Sequence, residues 1–292
     1  MIINNKNGIE FLYSSLLKSH GIPHAFTTRR GGVSTGAFDS LNVSTRRLDQ
    51  NGNCDKYENT VENFRRIFSI VDAVPENSVC AHQVHGKNVL LLDKNYCGMG
   101  ILKSAKVNVD ADGLFVESKD FGIGAICVKS ADCTPILLAD KSKGSVCAVH
   151  SGWRGTVQNI VKEAIDTMVE KGSKHEDILC AIGPCIGVCC YEVSEDVYTE
   201  ALKILSTLKA EQLIDTVFEQ KRETTNGVKY NFNIGKMCAV LAHLTGLPCE
   251  NIDYLDVCTC CTEDEKGKIF FSHRGQRGFS GTFASVIAPF KP

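Results

Sequence analysis

Four short segments set polar residues among glycines next to runs that read as strand ends: TTRRGGVS, HQVHGKNV, SADCTPILLAD and HSGWRGTVQNIV. Binding groups tend to be exposed at such places, on rigid supports. Together the segments supply His85, Cys133 and His150. Imidazole and thiolate are the ligands a borderline-soft divalent ion prefers, and three of them leave a tetrahedral zinc with one open position for chemistry. The separations, 48 residues from His85 to Cys133 and 17 from Cys133 to His150, match no short chelating motif. The same residues also suit a cysteine hydrolase in which Cys133 is the nucleophile and His150 its base. A lone histidine beside glycine is more often a hydrogen-bonded loop residue, so the set says more than any member.

His150 ends the apolar run SVCAVH and precedes SGWRG, a glycine-bounded turn that opens a helix. Such a turn aims backbone N–H groups and the positive end of a helix dipole toward the site. Arg154 lies in that turn and Arg29 in the TTRRGGVS loop. Guanidinium groups bind phosphate or carboxylate in a bidentate manner, although ordinary surface ion pairs account for many arginines.

The elements that must position these residues follow from periodicity. Val61, Phe64, Ile67, Phe68 and Val71 recur at three- and four-residue steps, which predicts an amphipathic helix between Glu58 and Val71. From about residue 112, the runs GLFV, IGAICV, PILLA and SVCAVH read as buried strands. TVQNIVKEAIDTMVEKG is helical, with Thr156 as N-cap and Gly172 as stop, and the strand ILCAIG after it makes this section β-α-β. SEDVYTEALKIL and NIGKMCAVLAHLTG read as helices, and NIDYLDV, KIFFS and ASVIAPF as closing strands. The expected fold is mixed α/β, a single domain over residues 1–292 with mixed sheets flanked by helices; no repeat or linker divides the chain.

Composition excludes several functions. Lysine plus arginine (32) nearly balance aspartate plus glutamate (34) without long single-sign blocks, so no footprint for nucleic acid or an anionic membrane exists. No apolar span approaches a transmembrane length, and the N-terminus lacks a signal-peptide pattern, which predicts a cytoplasmic protein. Fifteen cysteines, an odd number in a long chain, are read as reduced and mostly packing thiols. Cys185, Cys189 and Cys190 of GPCIGVCC, with CTCC, could be imagined as a second zinc site. A strand-to-loop turn needing Gly183, Pro184 and Gly187 accounts for that segment without metal.

QVHG, ADCTP, HSGWRG, AIGPCIGVCCYEV and CTCC…FFSHRG, in this order from about Thr27 to Ser285, resemble the motif series of the YfiH-like family, the polyphenol oxidase or laccase-domain proteins. That resemblance implies a YfiH/CNF1-like fold and a zinc site on His85, Cys133 and His150, with His85 rather than its neighbour His82 as ligand. It implies phosphorolysis of adenosine, inosine, guanosine and methylthioadenosine with inorganic phosphate, and hydrolytic deamination of adenosine. Asp132 or a nearby carboxylate is proposed for proton transfer or support of a ligand histidine, and Arg29 and Arg154 for the anion. Asn42, Cys258 and Arg274 resemble pocket residues of the family. SHRGQRGFSGTFAS departs from the pattern in lacking an Arg-Arg-Asp run and a Thr-Gly-Arg step. The rival readings are a laccase-like copper oxidase of phenols, the cysteine hydrolase and a non-enzymatic zinc-stabilised module. Monomer and homodimer both remain open.

Overall fold

The computed structural model describes residues 2–117, 122–225 and 227–292. One six-stranded sheet has the order β1 (Asn4–Lys6), β2 (Ile9–Leu12), β3 (His24–Thr27), β17 (Phe283–Ile287), β7 (Ala125–Ser130), β4 (Ser78–Cys80). A second runs β14 (Ile252–Tyr254), β10 (Ile178–Ile182), β8 (Thr134–Asp140), β9 (Val146–Ser151), β6 (Gly113–Val116), β5 (Val89–Leu91). Both sheets are mixed: β4 pairs parallel with β7, and β14 parallel with β10, among otherwise mainly antiparallel ladders. A three-stranded sheet, β11 (Glu192–Ser194), β13 (Gly227–Phe232), β12 (Phe218–Thr224), and a short hairpin, β15 (Glu263–Asp264) with β16 (Gly267–Lys268), complete the β structure. The helices are α1 (Ser15–Ser19), α2 (Tyr57–Phe68), α3 (Trp153–Val157), α4 (Ile160–Glu170), α5 (Glu195–Thr207), α6 (Ile214–Val217) and α7 (Ile234–Leu244).

Side-chain alternation explains the layering. In β8, β9 and β10 every residue is buried, so both faces of each strand meet apolar partners and the sequence reads as a continuous hydrophobic run. Ile136, Leu138, Cys147, Val149, Ile178 and Cys180 point one way, toward Ile160, Ala164, Ile165 and Met168 of α4 and Met237 and Leu241 of α7. Leu137, Ala139, Val146, Ala148, Leu179 and Ala181 point the other way and pack on Phe26, Ile126, Val128, Phe283 and Ile287 of the first sheet. The outer face of that sheet, with Ala25, Cys127 and Val286, is covered by Phe64, Ile67 and Phe68 of α2. The layers therefore run helix, sheet, sheet, helix, as the mixed α/β expectation requires.

Local departures have identifiable causes. The helix expected from Thr156 is split: α3 is capped by Gly152, and Asn159, at φ 60°, starts α4 by accepting from Lys162 N–H. Thr156 is inside α3, its hydroxyl donating to Gly152 O at 3.0 Å, so it cannot serve as cap. KIFFS is not a strand; β16 stops at Lys268, and Ile269–Phe271 are buried without a ladder. A short apolar run looks the same whether it pairs or only packs. β9 and β10 flank β8, antiparallel to both, so the expected β-α-β unit is parallel with a strand inserted. Among the described residues no helix is long and apolar enough to cross a membrane.

Candidate active site

His85, Cys133 and His150 come together, their ligand atoms all within 4.8 Å of one another. His150 is the penultimate residue of β9, Cys133 sits in the turn between β7 and β8, and His85 lies in the loop after β4. Loop and strands are joined by Asp112, immediately before β6 and fully buried. Its carboxylate accepts from His150 Nδ1 at 2.8 Å and from the backbone N–H groups of His85 (3.0 Å), Gly86 (2.7 Å) and Val84 (3.2 Å). With Nδ1 donating to Asp112, Nε2 of His150 is left free for a metal, the usual arrangement of a ligand histidine and its carboxylate. His85 is held at φ 63°, a conformation a non-glycine residue takes only when its surroundings fix it.

His82, the other histidine of AHQVHG, turns aside to pair with Asp110. Gly152 closes the triad from the helix side: a Cβ there would stand 2.9 Å from His85 Cδ2 and 3.2 Å from Cys133 Sγ. Burial pushes the Cys133 thiol up, but the facing His150 and His85 rings outweigh it and lower it to about 6. Burial pushes His150 down, and Cys133 with Asp112 outweigh it, raising it to about 9. Both shifts run in the direction that favours a thiolate beside an imidazolium when no metal is bound. The Asp112 carboxyl is lowered although burial opposes this, because His150 and the N–H groups of the loop hold its charge.

A cleft of about 430 Å³ opens on the triad, lined by His85 and Cys133 and by Arg47, Asp132, Trp153, Arg154, Tyr191, His273 and Arg274. A second lobe of about 290 Å³ shares Arg47, His85, Ala131 and Cys133 with it and reaches His150. Arg154 lies over the Trp153 ring at 4.4 Å, and Arg274 stands 5.6 Å from the Tyr191 ring. Arg47 bonds His273 Nδ1 at 3.2 Å, and Arg274 donates to Glu192 O at 3.1 Å. Among the described residues none of these three guanidinium groups is ion-paired with a carboxylate.

Of the residues singled out from sequence, Arg154, Arg274 and Asp132 reach this cleft with the triad. Both Asp132 carboxylate oxygens are already used, accepting from Thr259 Oγ1 and Arg274 N–H, each at 2.7 Å. Held at φ 93°, Asp132 joins three loops of the wall; its own carbonyl accepts from Ile186 N–H at 2.9 Å. Arg29 is not in the lining; it stacks on Phe271 at 4.5 Å and donates to Asp39 O at 2.7 Å. Asn42 is fully buried and outside the lining, bonding Ser44 O, Asp55 and Thr282 N–H. Cys258 is outside the lining and gathers with other thiols. Sequence reasoning passed over Asp112, Arg47, Tyr191 and Trp153. An Asp before Gly reads as a turn, and nothing in SLNVSTRRLD distinguishes Arg47 from Arg46.

The chain is 30% identical to a protein named purine nucleoside phosphorylase from Bacteroides thetaiotaomicron, covering 94% of both chains. It is 32% identical to the purine nucleoside phosphorylase YlmD of Geobacillus stearothermophilus, over 91% of this chain and 90% of that one. Among solved structures, Bacillus licheniformis protein YfiH superposes with a TM-score of 0.82 at 25% identity, and the Geobacillus YlmD structure with 0.81 at 28%, each covering 99% of both chains. A family model described as multi-copper polyphenol oxidoreductase laccase matches residues 23–289. By that match and those relatives, the chain belongs to the laccase-domain, YfiH-like family.

Proposed function

We propose that the protein is a zinc-dependent purine nucleoside phosphorylase. Inorganic phosphate displaces the base from C1′ of adenosine, inosine, guanosine or methylthioadenosine, releasing the base and (methylthio)ribose 1-phosphate. The observation that carries this reading is the set of three arginines without carboxylate partners among the described residues, Arg47, Arg154 and Arg274, lining one cleft with His85 and Cys133. Phosphate is the ligand that such a set suits, because guanidinium forks match its oxygens and neutralise its charge. The names of the relatives from Bacteroides and Geobacillus support the same class.

The donor set fits zinc: two imidazoles, a thiol lowered to about 6, a carboxylate behind one imidazole and a glycine where any Cβ would intrude. A zinc held there would supply Lewis acidity toward the bound nucleoside in phosphorolysis, and the same property would serve a second proposed reaction, hydrolytic deamination of adenosine with water to inosine and ammonia. The remaining work belongs to the chain itself. Asp112 orients His150, and Asp132 fixes the backbone from which Arg274 extends. Trp153 and Tyr191 offer aromatic faces for a purine. The arginines hold phosphate where its charge is stabilised without reorganisation.

The family description raises phenol oxidation by copper. The groups able to hold a metal among the described residues are the triad and a set of four thiols, neither of them the histidine-rich arrangement expected for several coppers. Incubating the protein with each nucleoside, with and without phosphate, and separating the products by chromatography tests the proposal. Free base appearing only with phosphate supports phosphorolysis. Absence of product from every purine nucleoside, with phenol oxidation in a copper-loaded sample, contradicts it.

A further inference from the structure

Outside the cleft, the densest gathering of reactive side chains is sulfur. Cys189 and Cys190 lie in the turn after β10, and Cys258 and Cys261 in the loop after β14. Their four Sγ atoms all lie within 4.8 Å of one another, and Cys189 Sγ is 3.5 Å from Cys261 Sγ. Thiolates on a tetrahedral zinc, with Zn–S of ~2.3 Å, stand about 3.8 Å apart, so small side-chain adjustments complete the geometry. Cys258-Thr-Cys-Cys261 also has the two-residue spacer common to ligand pairs in structural zinc sites.

The backbone holds the two loops together independently of any metal. The backbones of Cys185 and Cys258 pair in an isolated parallel β-bridge, and Thr259 N–H donates to Cys185 O at 2.9 Å. Gly187 N–H donates to Cys258 Sγ at 3.2 Å, a bond that strengthens as sulfur becomes thiolate. A Cβ on Gly187 would stand 3.0 Å from Cys258 Cβ and 3.3 Å from Cys189 Sγ, so glycine allows the loops to close. The turn that accounted for GPCIGVCC without metal thus also delivers two thiols to two others. Cys185, buried, is not a member of the group, nor is Cys260, whose sulfur faces Gly275.

We propose that Cys189, Cys190, Cys258 and Cys261 form a second metal centre, a structural tetrathiolate zinc site. Four protein ligands leave no open position, so the site holds structure and performs no chemistry. It ties the loop that continues into Tyr191 to the loop whose Thr259 holds Asp132, clamping two parts of the cleft wall. This proposal is independent of the reaction assigned to the cleft.

Metal analysis separates the two centres. Protein from zinc-supplemented cells, purified under reducing conditions without chelator, is compared as wild type, Cys133→Ala, the double variant Cys189→Ser/Cys261→Ser, and Cys54→Ser, an exposed cysteine in neither group. Two zinc ions per chain are expected in wild type and Cys54→Ser, and one in each of the other two. A single zinc in wild type that is lost in Cys133→Ala but kept in the double variant overturns the proposal. Should the double variant not fold, cobalt exchange of Cys133→Ala decides. The intense sulfur-to-cobalt charge-transfer absorption of a tetrathiolate is expected. Absence of that absorption, or a Cys189–Cys261 disulfide found by mass spectrometry in the reduced preparation, overturns it.

Discussion

Asp112 does more for the triad than any residue visible in the motifs. It binds His150 through the ring and His85 through the backbone N–H. Asp112→Asn keeps the shape but removes the charge that orients His150, so zinc affinity should fall about 10–100-fold, as for other outer-shell changes. A competition titration with a chromophoric chelator measures this, and unchanged affinity would remove Asp112 from the account. The lowered Cys133 thiol gives a second expectation. In protein stripped of metal, thiolate persists as pH falls until about 6, whereas an ordinary cysteine is protonated below about 8.5. Alkylation of Cys133 should therefore stay fast at neutral pH, slow below about 6, and be blocked by zinc. Rapid alkylation of the zinc-loaded protein would favour a cysteine nucleophile instead. The triad was legible because its motifs occur in a recognisable order; Arg47 and Asp112 were not, since their places at the cleft arise only when distant loops meet.

At the scale of elements, the triad depends on the junction of β9 with α3. Gly152 must lack a side chain for steric reasons, its φ of −73° being open to any residue. Gly152→Ala should keep the far-ultraviolet dichroism of the wild type while losing zinc at the triad. Retention of that zinc would show that the junction yields more easily than the distances imply. Long helices and fully buried strands were readable from periodicity: α2, α4, α5 and α7 lie where apolar residues recur at helical spacing, and β7 to β10 where apolar runs are continuous. Boundaries were less so, because Asn159 breaks the helix in a left-handed conformation that its residue type permits without announcing. KIFFS shows the opposite limit, an apolar run buried by packing alone.

For the molecule as a whole, stability and chemistry reside in different places. Phe283, fully buried between the two large sheets, belongs to a core remote in kind from the polar cleft. Phe283→Ala should cost about 3–5 kcal/mol in denaturant unfolding, with zinc content kept in the fraction that remains folded. Pairing between the sheets could not be read from the sequence, since periodicity reveals which face is buried without naming its partner. The most direct measurement of the proposed phosphorolysis follows ribose 1-phosphate formation from inosine by phosphorus NMR, with wild type and Cys133→Ala side by side. Phosphate-dependent signal is expected from wild type, with near-complete loss in the variant at unchanged far-ultraviolet dichroism. Equal signal from both proteins, or none from wild type loaded with zinc, would contradict it.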